Sequence, residues 1–430
     1  MRKLLIKNGR VIDPASGLDK VCDVLVEDGK VRGIGSRVKG QGARRIDAKG
    51  MLVVPGLIDM HVHLRDPGRP DKETIASGTR AAALGGFTSI CCMANTHPPI
   101  DNLAVVKFVR SRAEAEGVVN VYPIGAVTKE LKGEVLSEMG LMLEQGAVAF
   151  SDDGKPIMRA DVLRRALEYA SQFDVPLISH CEDANLSSGG SMNEGAVSTQ
   201  IGLPGIPSLA EEVMVARDIL MAEKFGRVHI AHVSSARSVD LIRQAKRKGI
   251  PVTCETCPHY FSLTEEAVRE YDTNAKVNPP LKTQKDVKAV IKGLADGTID
   301  AIATDHAPHN IEEKDVEFNQ ASSGIIGLET AVALIITKLV AGKALTIMQV
   351  IEKLTINPAK ILKLGKGTLQ SGSVADITII DPKAEWTVNP SQFASKSKNT
   401  PFTGWKLQGK VMWTIVGGKV VVRNGELVGE

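Results

Sequence analysis

The stretch Val53-Val54-Pro55-Gly56-Leu57-Ile58-Asp59-Met60-His61-Val62-His63-Leu64-Arg65 is a short apolar strand that turns polar at its end. Successive side chains on a strand point to opposite faces, so His61 and His63 point the same way. Two imidazoles side by side on one rigid element make half of a metal site. A bare His-x-His is a weak signal, and two half-buried histidines on an ordinary strand account for it equally well. Pro55-Gly56 before the strand and Arg65-Asp66-Pro67-Gly68 after it add weight. A polar loop directly after a strand is where sites are built.

Seven further apolar runs follow, each ending in polar or turn residues: 87–95, 119–125, 147–153, 175–180, 228–232, 251–256 and 299–306. Helical stretches such as 158–170 separate them. Eight parallel strands with crossover helices predict a (β/α)8 barrel over residues 53–365. An open doubly wound sheet would want a glycine-rich phosphate loop after an early strand, and the sequence has none. Residues 1–52 and 366–430 have a different texture, short alternating runs punctuated by glycine. Neither end can bury a good core alone, so both are expected to join as one small β-sandwich domain.

The 430 residues are 43% hydrophobic and 24% charged, enough for one large core and a smaller second one. A net charge of +3 implies no general affinity for polyanions. There is no basic run with interleaved aromatics, which argues against nucleic acid as a partner. No apolar stretch reaches transmembrane length, and the first residues are too short and interrupted for a secretory signal. The six cysteines form no disulfide framework, so a reducing cytoplasm is expected. The single Cys254-Glu255-Thr256-Cys257 lacks a second pair and reads as packing.

In a barrel of this kind the chemistry sits at the carboxyl ends of the strands. Those ends carry His61 and His63, Asn95, Asp153, His180, His232 and Asp305. Any one of them reads as structural, but the coincidence of four histidines and two aspartates in one mouth reads as a metal centre. Imidazole and carboxylate ligands suit zinc, and also manganese or cobalt. Six ligands fit two ions sharing a bridge. His61, His63 and Asp305 would hold one and His180 and His232 the other, with Asp153 and a hydroxide between. Two divalent cations, two carboxylates and one hydroxide leave a single positive charge, which suits a substrate with one carboxylate. The ions would lower the pKa of water from about 15.7 toward 7 and polarise the carbonyl attacked. Asp305 is placed to take the proton and hand it to a leaving nitrogen. Asp152 stands next to Asp153, and a twist or bulge at the strand end would exchange their roles.

Residues 55–63 together with Ala303-Thr304-Asp305-His306-Ala307-Pro308-His309 resemble the amidohydrolase superfamily. Within it, His61-Val62-His63-Leu64-Arg65-Asp66-Pro67-Gly68 and Phe150-Ser151-Asp152-Asp153-Gly154 resemble the bacterial type I dihydroorotases. The likeness extends to Met192-Asn193-Glu194-Gly195, Asn278-Pro279-Pro280-Leu281 and Ile326-Gly327-Leu328-Glu329-Thr330. It implies reversible hydrolysis of dihydroorotate to N-carbamoyl-aspartate in pyrimidine biosynthesis. It also implies two zinc ions on His61, His63, Asp153, His180, His232 and Asp305. Arg65, Asn95, Asn278 and His309 would contact substrate, with Arg65 on the side of His63 if the chain stays extended. Two departures stand out. An aspartate occupies the place where many relatives carry a carbamylated lysine, and Lys155 follows beyond Gly154. Ser323 stands before Gly324 where many relatives have an aromatic residue, so a backbone contact is expected there.

Two rivals remain. A hydantoinase or allantoinase would use the same metals on a different ring. A non-catalytic relative that stabilises aspartate carbamoyltransferase would have lost ligands, and none is missing. A homodimer and a complex with that carbamoyltransferase are the assemblies kept open.

Overall fold

The computed structural model describes residues 3–36, 38 and 40–429. Its central feature is a ring of parallel strands: Leu57–Val62, Phe87–Cys92, Asn120–Gly125, Ala149–Ser151, Leu177–Ser179, Val228–Ile230, Val252–Thr256 and Ala301–Ile302. They pair in chain order, each with its predecessor. A parallel bridge between Val62 and His306 joins the last strand region to the first, and His63 N–H donates to His306 O at 2.8 Å. All eight runs read from the sequence are barrel strands.

The first two strands are buried at every residue, as parallel strands covered on both faces should be. The covering helices are amphipathic. In Ala160–Ser171 the buried side chains are Val162, Leu163, Ala166, Leu167 and Ala170, one stripe at helical spacing.

The strands at the two ends of the chain form a second, nine-stranded sheet. Lys3–Asp13 pairs with Leu18–Glu27, which pairs with Lys30–Gly35; Arg44–Asp47 also pairs with Lys3–Asp13. Leu52–Pro55 lies parallel to Lys3–Asp13 and antiparallel to Ile377–Thr387, so this one short strand joins the two ends. Lys406–Val416, Lys419–Arg423 and Glu426–Leu427 continue the sheet. Ile6, Val24, Val31, Val53, Ile377 and Ile415 share its apolar core. The boundary expected at residue 52 falls inside the joining strand. The apolar run 52–58 serves two sheets, and the chain passes between them at Gly56. A Cβ on Gly56 would lie 2.1 Å from Thr88 Oγ1, which is why only glycine fits this passage.

The terminal sheet also reaches the barrel mouth. The segment after Ile377–Thr387 passes Asn399, whose Nδ2 donates to Ala307 O at 3.1 Å and Gly324 O at 3.0 Å. Asn399 Oδ1 accepts the His309 N–H at 3.1 Å. One asparagine thus pins three points of the loop after the last barrel strand.

Candidate active site

The residues expected at the strand ends do converge. His61 Nε2 lies 3.4 Å from Asp153 Oδ1 and 3.5 Å from Asp305 Oδ1. His63 Nε2 lies 3.1 Å from Asp305 Oδ1 and 3.5 Å from Asp153 Oδ2. His180 Nδ1 and His232 Nε2 are 2.8 Å apart and lie 3.6 and 3.4 Å from Asp153 Oδ1. Asp153 is therefore the hub of four imidazoles. Donor atoms of His61, His63 and Asp305 fall within 4.8 Å of one another, as do those of His61, Asp153 and His232.

His61 Nε2 and Asp153 Oδ1 are buried without a hydrogen-bond partner. Such orphans cost roughly 1–3 kcal/mol each, a cost that a cation held between them would remove. Burial pushes the Asp153 and Asp305 carboxyls up, but the surrounding His61, His63 and His232 together outweigh it and hold both below the usual carboxylate range. Nitrogen and ionised oxygen donors of this kind fit a divalent transition ion.

Asp152 faces away from this hub. Its carboxylate accepts from Val127 N at 2.8 Å, from Thr128 N at 3.0 Å and from the Thr128 hydroxyl. Burial pushes it up to about 6. Lys155 is exposed, outside the cluster.

Three of the site residues have left-handed backbone: His232 at φ 35°, Asp305 at φ 48° and Arg65 at φ 57°. Each such residue costs about 1–3 kcal/mol, strain that concentrates at functional sites. The Arg65 conformation corrects the expectation of an extended chain there. The guanidinium reaches the mouth by a different path, with Nε donating to Pro308 O at 3.2 Å and Nη2 at 3.4 Å from His309 Nε2.

Asn95 belongs to the hub, since its Oδ1 lies 2.8 Å from His63 Nδ1 and its Nδ2 donates to Asp153 O at 3.3 Å. Asn278 Nδ2 donates to Glu182 Oε2 at 2.9 Å. His309 is buried, with Nδ1 2.6 Å from Glu313 Oε2 and Nε2 3.0 Å from Ser323 O. Ser323 is exposed and only its backbone carbonyl faces His309. Gly324 has φ 136°, and a Cβ there would meet Ala307 Cβ at 2.7 Å.

Sequence reasoning missed the carboxylates behind the histidines. Glu255 Oε1 lies 2.7 Å from His61 Nδ1, and Glu182 Oε2 lies 2.8 Å from His180 Nε2. Burial pushes both carboxyls up, but their histidine partners win and hold each at about 2. These partners fix which imidazole nitrogen carries the proton, and so which one faces the hub. Glu255 had a signal, because it stands next to the end of one of the two strands that contributed no candidate. The Cys254 and Cys257 thiols are buried and free. Cys254 Sγ points to Thr298 O at 3.4 Å, whereas Cys257, His259 and Asp305 have donor atoms within 4.8 Å of one another.

A closed (β/α)8 barrel with histidines and aspartates gathered at its strand ends defines the class of metal-dependent barrel hydrolases. Residues 52–421 match the amidohydrolase family, and the chain belongs to it. It is 60% identical to a dihydroorotase of Pelotomaculum thermopropionicum over 98% of this chain and 99% of that one. It is 58% identical to a dihydroorotase of Geobacter metallireducens, over 98% of this chain and all of the relative. Among solved structures, L-hydantoinase from Arthrobacter aurescens superposes with a TM-score of 0.89 at 28% identity, covering 100% of this chain and 98% of that one.

Proposed function

We propose that this chain is a dihydroorotase, hydrolysing the cyclic amide of (S)-dihydroorotate reversibly to N-carbamoyl-L-aspartate in pyrimidine biosynthesis. The observation that carries the reading is the juxtaposition of the Asp153 hub with the Arg65 guanidinium beside His309. A hydantoin or allantoin ring has no carboxylate to occupy that cationic pocket, and dihydroorotate has one. The dihydroorotases also share about twice the identity of the hydantoinase.

Two zinc ions would be held by His61, His63, Asp153, His180, His232 and Asp305, with Asp153 as the bridge. When bound they supply a water activated near neutral pH and a polarised carbonyl. Asp305 is placed to take a proton from the attacking water and to return it to the leaving nitrogen. Arg65 and His309 grip the carboxylate, Asn95 and Asn278 flank the ring, and the Ser323-Gly324 backbone closes the pocket. Fixing the carboxylate orients the amide for attack, which aids the transition state as well as binding. The catalytic domain is the barrel, and the two terminal segments form the smaller domain. No helix of the described residues is long and apolar enough to cross a membrane. A cytoplasmic location, a homodimer and a complex with aspartate carbamoyltransferase complete the reading, and co-purification tests the assemblies.

The experiment is metal analysis paired with turnover of dihydroorotate, 5-substituted hydantoins and allantoin. The expected result is two zinc ions per chain, loss of activity on chelation, and dihydroorotate as the fastest substrate. Asp305→Asn should lose about 10²–10⁴-fold in turnover from proton transfer alone. Arg65→Met should keep its metal and lose on the order of 10²-fold in kcat/KM. Faster hydrolysis of either neutral ring would replace this reading with the hydantoinase one.

A further inference from the structure

We propose that Glu73 is a positioning residue for proton transfer: it anchors the ring of His306, and through His306 it holds Asp305 in the strained backbone that aims its carboxylate at the hub. The inference rests on the dihydroorotase reading, in which Asp305 moves the proton, and adds the group that aims it.

Asp305 has a left-handed φ of 48°, a conformation that persists only where its surroundings over-determine it. The next residue supplies the restraint. His306 N–H donates to Thr304 Oγ1 at 3.0 Å, and His306 O accepts from His63 N–H at 2.8 Å. The ring is held on both edges as well. Gly327 N–H donates to Nδ1 at 3.2 Å, and Nε2 lies 3.2 Å from Glu73 Oε2. A backbone N–H can only donate, so Nδ1 is the bare nitrogen and Nε2 carries the proton that Glu73 accepts.

Glu73 is fully buried. Besides His306, its Oε2 accepts from the Ser395 hydroxyl at 2.6 Å. Its Oε1 accepts from Lys396 N–H at 3.1 Å, Thr74 N–H at 3.4 Å and the Ser77 hydroxyl. All of these are donors, an arrangement that only an acceptor-only side chain satisfies. The amide of a glutamine would turn its own N–H groups onto donors, and the Gly327 N–H prevents His306 from answering with the other tautomer. Ser395 and Lys396 lie in the segment after the strand Ile377–Thr387, so the chain of the smaller domain takes part in fixing the ring. Arg65 and His309 are not among these donors. Glu73 therefore bears on the aim of Asp305 and not on the grip of the substrate carboxylate.

The test is a double-mutant cycle on the zinc-loaded enzyme with Glu73→Gln, His306→Asn and the two combined. Glu73→Gln should lower kcat for dihydroorotate about 100-fold, with KM within about 2-fold and zinc content unchanged. If Glu73 acts through His306, the combined variant should lose no more than the worse single one. Nitrogen NMR of histidine-labelled protein should show His306 of wild type with its proton on Nε2, and Glu73→Gln without that fixed tautomer. Losses that multiply across the cycle, a loss carried by KM, or wild-type kcat in folded Glu73→Gln would overturn the inference and leave the dihydroorotase reading standing. Should Glu73→Gln fail to fold, Ser395→Ala removes one donor from the same carboxylate, and wild-type kcat in both it and His306→Asn would overturn the inference equally. A wild-type protein that does not hydrolyse dihydroorotate would overturn both.

Discussion

Glu255 Oε1 lies 2.7 Å from His61 Nδ1, so the proton of that imidazole is held on the side away from Asp153 and Asp305. His229 Nε2, 3.4 Å from Glu255 Oε2, steadies the carboxylate from its other edge. Glu255 thus presents His61 Nε2 to the hub as a lone pair, the form in which a histidine binds a metal ion.

Removing that carboxylate should loosen the metal without touching a ligand. Glu255→Ala is expected to weaken zinc binding about 10–100-fold, read by competition with a chromogenic chelator. Glu255→Gln, which keeps the shape and loses the charge, should fall between the variant and wild type. Wild-type zinc affinity in both variants would assign the orientation of His61 to the strand alone.

The donors themselves were legible in the sequence because the barrel places them by rule. Each one ends an apolar run, and strand ends face one mouth. Their pairings with distant supports were not legible, since Glu255, whose strand position was its one signal, is 194 residues from His61 and Asn399 is 90 from His309. Such pairings are made by barrel closure and by a crossing segment, and neither leaves a periodic trace. Arg65 was misread for a local reason. Nothing about an arginine signals a left-handed backbone, so the chain appeared to run on as a strand. The joining strand Leu52–Pro55 was hidden because its apolar run continues unbroken into the barrel, and only the space around Gly56 separates the two.

Adjacent aspartates should separate cleanly by phenotype. Asp153→Asn is expected to lose metal and activity while the fold persists, because Asp153 Oδ1 has no hydrogen-bond partner to forfeit. Asp152→Ala would leave the Val127 and Thr128 amides unpaired, at roughly 1–3 kcal/mol each. That variant should melt earlier and, once folded, still bind zinc. Activity should also be indifferent to removal of bicarbonate, since an aspartate needs no carbamylation. Metal loss in the Asp152 variant at full stability would exchange the two assignments.

Glu329 provides a pH-dependent anchor for the segment that carries Asn399. Its carboxylate accepts from Ala394 N at 2.8 Å and Ser395 N at 3.1 Å, and burial raises it from an ordinary 4.5 to about 7. Below pH 4.5 both folded and unfolded chains hold this proton, and no penalty arises. Between about 4.5 and 7 the folded chain keeps a proton that the unfolded chain has lost. Stability from this group is therefore complete at low pH and declines as pH rises through 7. The full loss is up to roughly 3 kcal/mol, less to the extent that solvent reaches this partly exposed carboxyl. Glu329→Gln cannot ionise, so its stability relative to wild type should improve by about that amount from pH 4.5 to 8. Urea unfolding of both proteins across that range measures the difference directly. A constant offset between them would mean that Glu329 stays ionised throughout, held by its two backbone donors in place of a proton.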